Sequence, residues 1–162
     1  MTLYVAAYKA PGKLTDKVVK AALSVRHSTK VQYSHVELLK EKPILVSEET
    51  GDYIQHCIAA SKRDNKRVRD KPIYFYAGHW DFVELLHDPD VDVWDEATSL
   101  IGTPYDIVGA ALCITPWARL HRRKEWCSGM IADICMWDDP QTYDPYMVVQ
   151  KALALGGEFI EA

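Results

Sequence analysis

Cys127 stands at a position that favours a thiolate, although a cysteine taken by itself is more often a buried packing residue. It opens the segment 127–137, where apolar residues recur at helical spacing, so it lies in the first turn of a predicted helix. Free N–H groups and the positive end of the helix dipole favour the thiolate there, which is the nucleophilic form of cysteine. The preceding basic run, Arg119–Lys124, adds positive potential and can help to bind an anionic substrate. The other cysteines are expected to be buried apolar residues: Cys57, Cys113 and Cys135.

A histidine able to act as the base lies in the segment 32–39, whose alternating pattern predicts a strand. Alternation puts His35 and Glu37 on one face and the apolar residues between and after them on the other. A neutral imidazole on a rigid strand facing a helix N-terminus is an arrangement that activates a thiol. The residue types therefore predict a nucleophile and base pair, Cys127 and His35.

The elements that must position this pair are strands in the first half of the chain and helices in the second. Helix caps are expected at Thr15 or Asp16 and at Asp90 or Asp92. Strands followed by segregated helices, with no repeat or linker, indicate one α+β domain over residues 1–162. The predicted strands are Leu3–Tyr8, Gln32–Leu39, Tyr53–Ala60, Val68–Phe75 and Trp80–Leu86. The predicted helices are Asp16–Val25 (with Val18, Val19, Ala22 and Leu23 as its apolar positions), Asp90–Ile101, Tyr105–Ile114, Cys127–Trp137 and Pro145–Leu155.

Composition sets the class of protein. The chain has 162 residues, 48% apolar and 26% charged, as globular domains do, and its net charge of −4 gives no indication of nucleic acid or an anionic membrane as partner. The N-terminus lacks the pattern of a secretory signal, and the longest apolar stretch, 107–114, is too short to span a bilayer. A cytoplasmic protein without stable membrane insertion is expected.

The cysteines and His56 lack the spacing of metal ligands, so no metal or other cofactor is expected.

Three motifs in a defined order resemble a known family. The sequences Tyr-Ser-His-Val-Glu-Leu at 33–38, Gly-Thr-Pro-Tyr-Asp at 102–106 and Trp-Cys-Ser at 126–128 resemble the circularly permuted papain-like hydrolases related to the NlpC peptidases. The segment 58–61 with 67–69 resembles the strand that follows the histidine strand in that family. The resemblance covers the chain from the histidine strand to the end of the cysteine helix. It implies an antiparallel sheet or half-barrel packed against a helical half, with the histidine strand preceding the cysteine helix.

The same resemblance implies a thiol hydrolase mechanism. Cys127 attacks the acyl carbon of a peptide amide or a lipid acyl group, His35 acts as its base, and a thioacyl intermediate forms. The Cys127 backbone N–H at the helix start helps to stabilise the oxyanion.

The sequence departs from the family pattern at the third catalytic group. Family members often carry a glutamate in the strand after the histidine strand, which orients the imidazole; Ala59 stands at that place here. Ser61 is the expected substitute. Glu37 is the alternative, although a residue two positions along the histidine's own strand is expected to be poorly placed to reach the ring. Gly129 likewise replaces the glutamate of the common Cys-Ser-Glu continuation.

Three functions follow from these features. The first is a cysteine peptidase, amidase or acyl hydrolase acting on a peptide or acyl substrate. The second, favoured by Ala59, is a catalytically idle binding or virion-associated module that keeps the fold. The third is a lipid acyltransferase with the same cysteine and histidine, for which the sequence shows no amphipathic membrane segment.

Overall fold

A computed structural model describes residues 2–61, 65–107, 110 and 126–161 of the chain. Cys113, the run Arg119–Lys124 and most of the predicted helix over 105–114 lie outside these residues. The strands are β1 (Leu3–Tyr8), β2 (His35–Leu39), β3 (Ile44–Ser47), β4 (Asp52–Ser61), β5 (Arg67–Phe75), β6 (Trp80–Leu85) and β7 (Phe159–Ile160). The helices are α1 (Leu14–His27), α2 (Val93–Ser99), α3 (Cys127–Ile134), a short 3-10 helix (Pro140–Thr142) and α4 (Pro145–Ala154).

The described elements confirm a mixed layout in which strands precede most of the helices. Two strands were not predicted, because β3 and β7 have four residues and two residues. A run of that length is too short to show a clear period of two. The structure also shortens α2, which begins at Val93, where the side chain of Asp92 accepts a hydrogen bond from the N–H of Asp95 at 3.0 Å. Of the two predicted caps, Asp92 is thus the one used.

The sheet is antiparallel and curls into a half-barrel. Its hydrogen-bonded order is β3-β4-β2-β1-β6-β7, and β5 pairs with β4. Tyr8 of β1 lies opposite His35 of β2, and Ala59 of β4 lies opposite Arg69 of β5. Because β4 pairs with both β2 and β5, one side chain can reach from β5 to β2 by crossing a single strand.

Alternation along the strands divides the apolar residues between two clusters. One face of the sheet packs against α3 and α4, and a second apolar cluster lies apart from that contact. The first cluster includes Val36, Leu38, Ile58 and Ala60 of the sheet, Met130 and Ile131 of α3, and Val148 and Val149 of α4. The second consists of Ala6, Leu39, Cys57, Phe75 and Phe82, all buried.

The C-terminal end of α1 is tied to the start of α4. His27 Nε2 lies 2.7 Å from Oδ2 of Asp144, whose surface is fully buried. Asp144 Oδ1 accepts the N–H of Met147 at 3.0 Å and so caps α4. At its other end, α1 begins where the Asp16 carboxylate accepts the N–H of Lys13 at 2.7 Å. None of the helices within the described ranges is long and apolar enough to cross a membrane.

Candidate active site

Cys127 is the first residue of α3. Trp126 before it is extended, with φ −123° and ψ 163°, so the chain enters the helix at the cysteine itself. Burial raises the pKa of the Cys127 thiol, but the charge and hydrogen bond of His35 lower it, as do the N–H groups of Val36 and Ser128. The net direction is down. The surroundings therefore favour the thiolate form of this sulfur, in a residue that is 6% exposed.

His35 is the first residue of β2, and its side chain keeps 27% of its surface exposed. Burial lowers the pKa of the imidazole, but the charge and hydrogen bond of Cys127 raise it, as do those of Glu37, to about 10. A thiol pKa that falls beside an imidazole pKa that rises describes a thiolate and imidazolium ion pair. The predicted residues Cys127 and His35 are thus in contact.

Glu37 holds the other side of the imidazole. Its Oε1 lies 2.9 Å from His35 Nε2, which leaves the Nδ1 side of the ring for the sulfur. The expectation that Glu37 is poorly placed to reach the ring was wrong. Two residues on the same face of a strand are only about 6.6 Å apart along it, a distance that the long histidine and glutamate side chains bridge.

Arg69 fixes Glu37 through two parallel hydrogen bonds. Its Nη2 lies 2.7 Å from Glu37 Oε1, and its Nη1 lies 2.8 Å from Oε2. Arg69 stands on β5 opposite Ala59 of β4, and its guanidinium crosses β4 to reach β2. A methyl side chain at residue 59 leaves room for that crossing. The small side chain of Ala59 therefore lets Arg69 of β5 hold Glu37 of β2.

Both partners of this ion pair are shielded from solvent, with 3% of the Glu37 side chain and 12% of the Arg69 side chain exposed. Burial raises the pKa of the Glu37 carboxyl, but His35 and Arg69 lower it more, so it remains a carboxylate. Charge-assisted pairs in fork geometry are strong and directional. The site is consequently a chain of four groups, in the order Cys127, His35, Glu37 and Arg69.

Ser61, the residue predicted to orient the imidazole, lies at the end of β4 opposite Arg67 and is 6% exposed. The Nε2 position that an orienting group would occupy is held by Glu37. A catalytic role for Ser61 stays a prediction.

The residues on either side of Cys127 are anchored to one carbonyl. Ser128 Oγ donates to the Tyr143 carbonyl at 2.9 Å, and Trp126 Nε1 donates to the same oxygen at 3.3 Å. The indole of Trp126 lies against Gly129, where a Cβ atom would stand 2.5 Å from Cε2 of the ring. Glycine in place of the glutamate of the Cys-Ser-Glu pattern therefore has a packing reason.

The other described cysteines differ from Cys127 in their titration. Burial raises the pKa of the Cys135 thiol to about 12 and raises that of Cys57 as well. Both are protonated at neutral pH, in keeping with the expected buried apolar role. The described part of the chain contains no group of three side chains that could hold a metal ion.

Ser34, next to His35, carries a polar atom that the fold does not use. Its Oγ is buried and has no hydrogen-bond partner among the described residues. An unpaired buried hydroxyl costs about 1–3 kcal/mol.

Comparisons with known proteins complete the description of the site. No protein-family model, curated protein or solved structure matches this chain. The function therefore has to follow from the four interacting residues Cys127 of α3, His35 and Glu37 of β2, and Arg69 of β5.

Proposed function

We propose that the protein is a thiol hydrolase that cleaves an amide or acyl bond through a thioacyl intermediate on Cys127. The observation that carries the proposal is the position of His35, in contact with the Cys127 sulfur on one side and with Glu37 on the other. Nucleophile, base and orienting group in this order form the constellation that activates a thiol.

The reaction follows from the charges of the site. The Cys127 thiolate attacks the acyl carbon, and the carbonyl oxygen gains the negative charge, which the backbone N–H at the helix start stabilises. The His35 imidazolium gives its proton to the departing nitrogen or oxygen as the bond to the acyl carbon breaks. A water molecule then loses a proton to His35 and attacks the thioester, which releases the carboxylic acid and restores the thiolate.

We further propose a circularly permuted papain-like fold for the chain. Two features support it. The histidine strand β2 precedes the cysteine helix α3 along the chain, and the half-barrel packs against that helix through the cluster that contains Val36, Ile58 and Met130.

An idle binding module is the rival function, and Ala59 was the reason to consider it. Glu37 supplies the carboxylate that Ala59 lacks, and Arg69 keeps that carboxylate ionised. A buried ion pair aimed at the imidazole supports turnover, because a site that only binds has no need to orient a base.

Acylation with a chromogenic ester tests the proposal. The purified protein is mixed with p-nitrophenyl acetate, p-nitrophenolate release is followed, and the acetylated peptide is identified by mass spectrometry. A burst equal to the protein concentration, with acetyl on Cys127, is expected, followed by slower steady release. His35→Ala should abolish the burst, and Cys57→Ser, which removes a buried thiol of raised pKa, should leave it unchanged.

Two results would overturn the proposal. Acetylation of Cys135 or Cys57 at the same rate as Cys127 would show that the site does not activate its sulfur. A stable acetyl group on Cys127 that water does not remove, with no turnover of peptide amide substrates, would instead identify the idle binding module.

A further inference from the structure

Helix α1 turns an apolar stripe away from the rest of the molecule. Leu14, Val18 and Val25 are 78%, 59% and 81% exposed, and Ala21 between them is also exposed. Their spacing of four, three and four residues places them on one line along the helix. Leu23, the only buried residue of α1, all of which is described, lies on the opposite side.

This orientation reverses the usual arrangement of a surface helix, in which the apolar side faces the core and the charged side faces water. Val18 and Leu23 were both predicted as apolar positions of the helix, but of the two only Leu23 is buried in the core. The apolar stripe of Leu14, Val18 and Val25 is therefore exposed and could contact a binding partner.

The charges around the stripe are basic. Lys17 lies beside it on one flank with Lys13, and both are exposed. Lys20, further round the helix, donates to the carbonyls of Lys9 and Ala10, and Arg26 on the other flank pairs with Asp144 and contacts the Thr142 carbonyl. Asp16, the one acidic residue of α1, bonds the N–H of Lys13 at the helix start. Residues 13–30 contain five basic residues and one acidic residue, a net charge of +4 in a chain whose total is −4.

We propose that α1 docks on the surface of an anionic lipid bilayer. The helix would lie flat, with Leu14, Val18 and Val25 in the interfacial region and its cations against the lipid headgroups. Exposed apolar side chains flanked by lysine and arginine are the pattern of helices that bind such surfaces. The net charge of +4 over residues 13–30, in a chain whose total is −4, supplies the complementarity to an anionic surface.

A second copy of the chain is a poorer occupant of the stripe. A 14-residue helix is about 21 Å long, and four side chains along it offer far less than the roughly 1,200 Å² that a stable interface buries. Two copies would also bring the same basic flanks together, whereas an anionic bilayer attracts them.

The side of α1 opposite the stripe is linked to the segment that holds the candidate nucleophile. The last residue of α1, His27, bonds Asp144 at the start of α4, and the neighbouring Tyr143 carbonyl holds Trp126 and Ser128 beside the nucleophile. The proposal does not depend on catalysis, since it rests on α1 alone.

Vesicle sedimentation tests the docking. The full chain is mixed with vesicles of phosphatidylcholine and phosphatidylglycerol, or of phosphatidylcholine alone, and the bound fraction is measured at low and high salt. Binding to the anionic vesicles alone, weakened by salt, is expected. Lys17→Gln should weaken it about fivefold, since each basic residue near such a surface contributes about 1 kcal/mol. The double variant Leu14→Gln and Val18→Gln should weaken it by about tenfold or more.

The matched controls lie on and beside β3, where Val46 is 44% exposed and Lys42 is exposed. Val46→Gln and Lys42→Gln should leave binding unchanged. Equal losses in the α1 variants and these controls, or no binding to either vesicle, would overturn the proposal. So would a dimer seen by light scattering that Val18→Gln dissociates, in the absence of vesicle binding, because the stripe would then serve a second copy. Lys17→Gln changes only an exposed side chain, so its result does not depend on folding.

Discussion

At the scale of single residues, the site depends on the way that Glu37 is held. Glu37 contacts Nε2 of His35 on one side and accepts two hydrogen bonds from Arg69 on the other, which fix its carboxylate in place. Without the arginine, burial would favour a protonated Glu37, and a neutral carboxyl would do less to stabilise the imidazolium. Arg69 thus acts on the thiolate through two intermediate groups.

The first prediction concerns the pH dependence of Cys127 alkylation by iodoacetamide. The lowered pKa of the thiol means that the thiolate is present above that pKa and is lost only as pH falls through it. Alkylation should therefore stay fast well below pH about 8.5, the ordinary range of a free thiol. Glu37→Gln removes a charge that raises the pKa of His35, so the acid limb of the profile should move to higher pH. An unchanged pH profile of alkylation in Glu37→Gln would show that Glu37 does not influence the ionisation of Cys127.

The pH profile of hydrolysis should also fall at high pH, which the pH profile of alkylation should not. The imidazolium that protonates the leaving group is present below the raised pKa of His35, about 10, and is lost as pH rises through it. The rate of ester or amide cleavage by Cys127 is expected to fall at high pH while its alkylation continues. Parallel loss of both activities at high pH would contradict this assignment.

The second prediction uses Ala59, over which the guanidinium passes. In Ala59→Leu the larger side chain should block Arg69 from Glu37, lower the free energy of unfolding by about 1–3 kcal/mol and slow Cys127 alkylation at pH 6. Ala59→Gly is the matched variant, since it keeps the crossing open and should retain the alkylation rate. Urea titration and alkylation rates measure the two effects. Equal rates in the leucine and glycine variants would show that Arg69 does not depend on the space at residue 59.

At the scale of elements, the cysteine helix is placed by the residues around its first turn. Trp126 and Ser128 share the Tyr143 carbonyl, and the indole occupies the space above Gly129. The glycine, usually unfavourable inside a helix, is required here because the ring lies where its Cβ would be.

The third prediction follows from that contact. Gly129→Ala should destabilise the protein by about 1–3 kcal/mol, because overpacking exceeds the gain in helix propensity. In a Trp126→Ala background the contact is gone, and the same substitution should stabilise by about 0.5–1 kcal/mol. Urea unfolding of the four proteins of this cycle measures the change of sign. Stabilisation by Gly129→Ala in both backgrounds would contradict the packing role of the ring.

The sequence predicted the structure best where an alternating or helical pattern extends over many residues, or where a residue stands at the start of a helix. The alternation of 32–39 and the start of the segment 127–137 predicted both members of the ion pair. Glu37 was only the alternative to Ser61 as the orienting group, because the distance between its carboxylate and the ring depends on side-chain conformation and on Arg69, which is distant in sequence. The sequence also did not decide which side of α1 faces the core. The apolar residues of α1 lie on more than one side of the helix, and only the packing of the fold shows that Leu23 is the buried one.

At the scale of the whole molecule, an apolar cluster and a polar contact join the N-terminal elements to the C-terminal helices. The first apolar cluster joins β2 and β4 to α3 and α4, and its members are almost fully buried. The second connection is polar and joins α1 to α4 through Asp144, with His27 Nε2 at 2.7 Å and Arg26 Nη1 at 3.5 Å. Because Tyr143 precedes Asp144, this ion pair also holds the segment that anchors the residues around Cys127.

The fourth prediction is that Asp144 couples global stability to the site. Asp144→Ala removes a fully buried carboxylate, leaves His27 and Arg26 without it and uncaps α4, so the free energy of unfolding should fall by about 3–5 kcal/mol. Asp144→Asn keeps an oxygen for the N–H of Met147 and should lose about 1 kcal/mol less. Both should slow Cys127 alkylation under conditions where each variant is folded, since Tyr143 would no longer be fixed. Urea titration followed by tryptophan fluorescence gives the stabilities, and Asp90→Asn, at an exposed carboxylate, is the control. Loss of stability with an unchanged alkylation rate would confine Asp144 to the fold, whereas loss of both would show that the contact between α1 and α4 helps to set the geometry of the nucleophile.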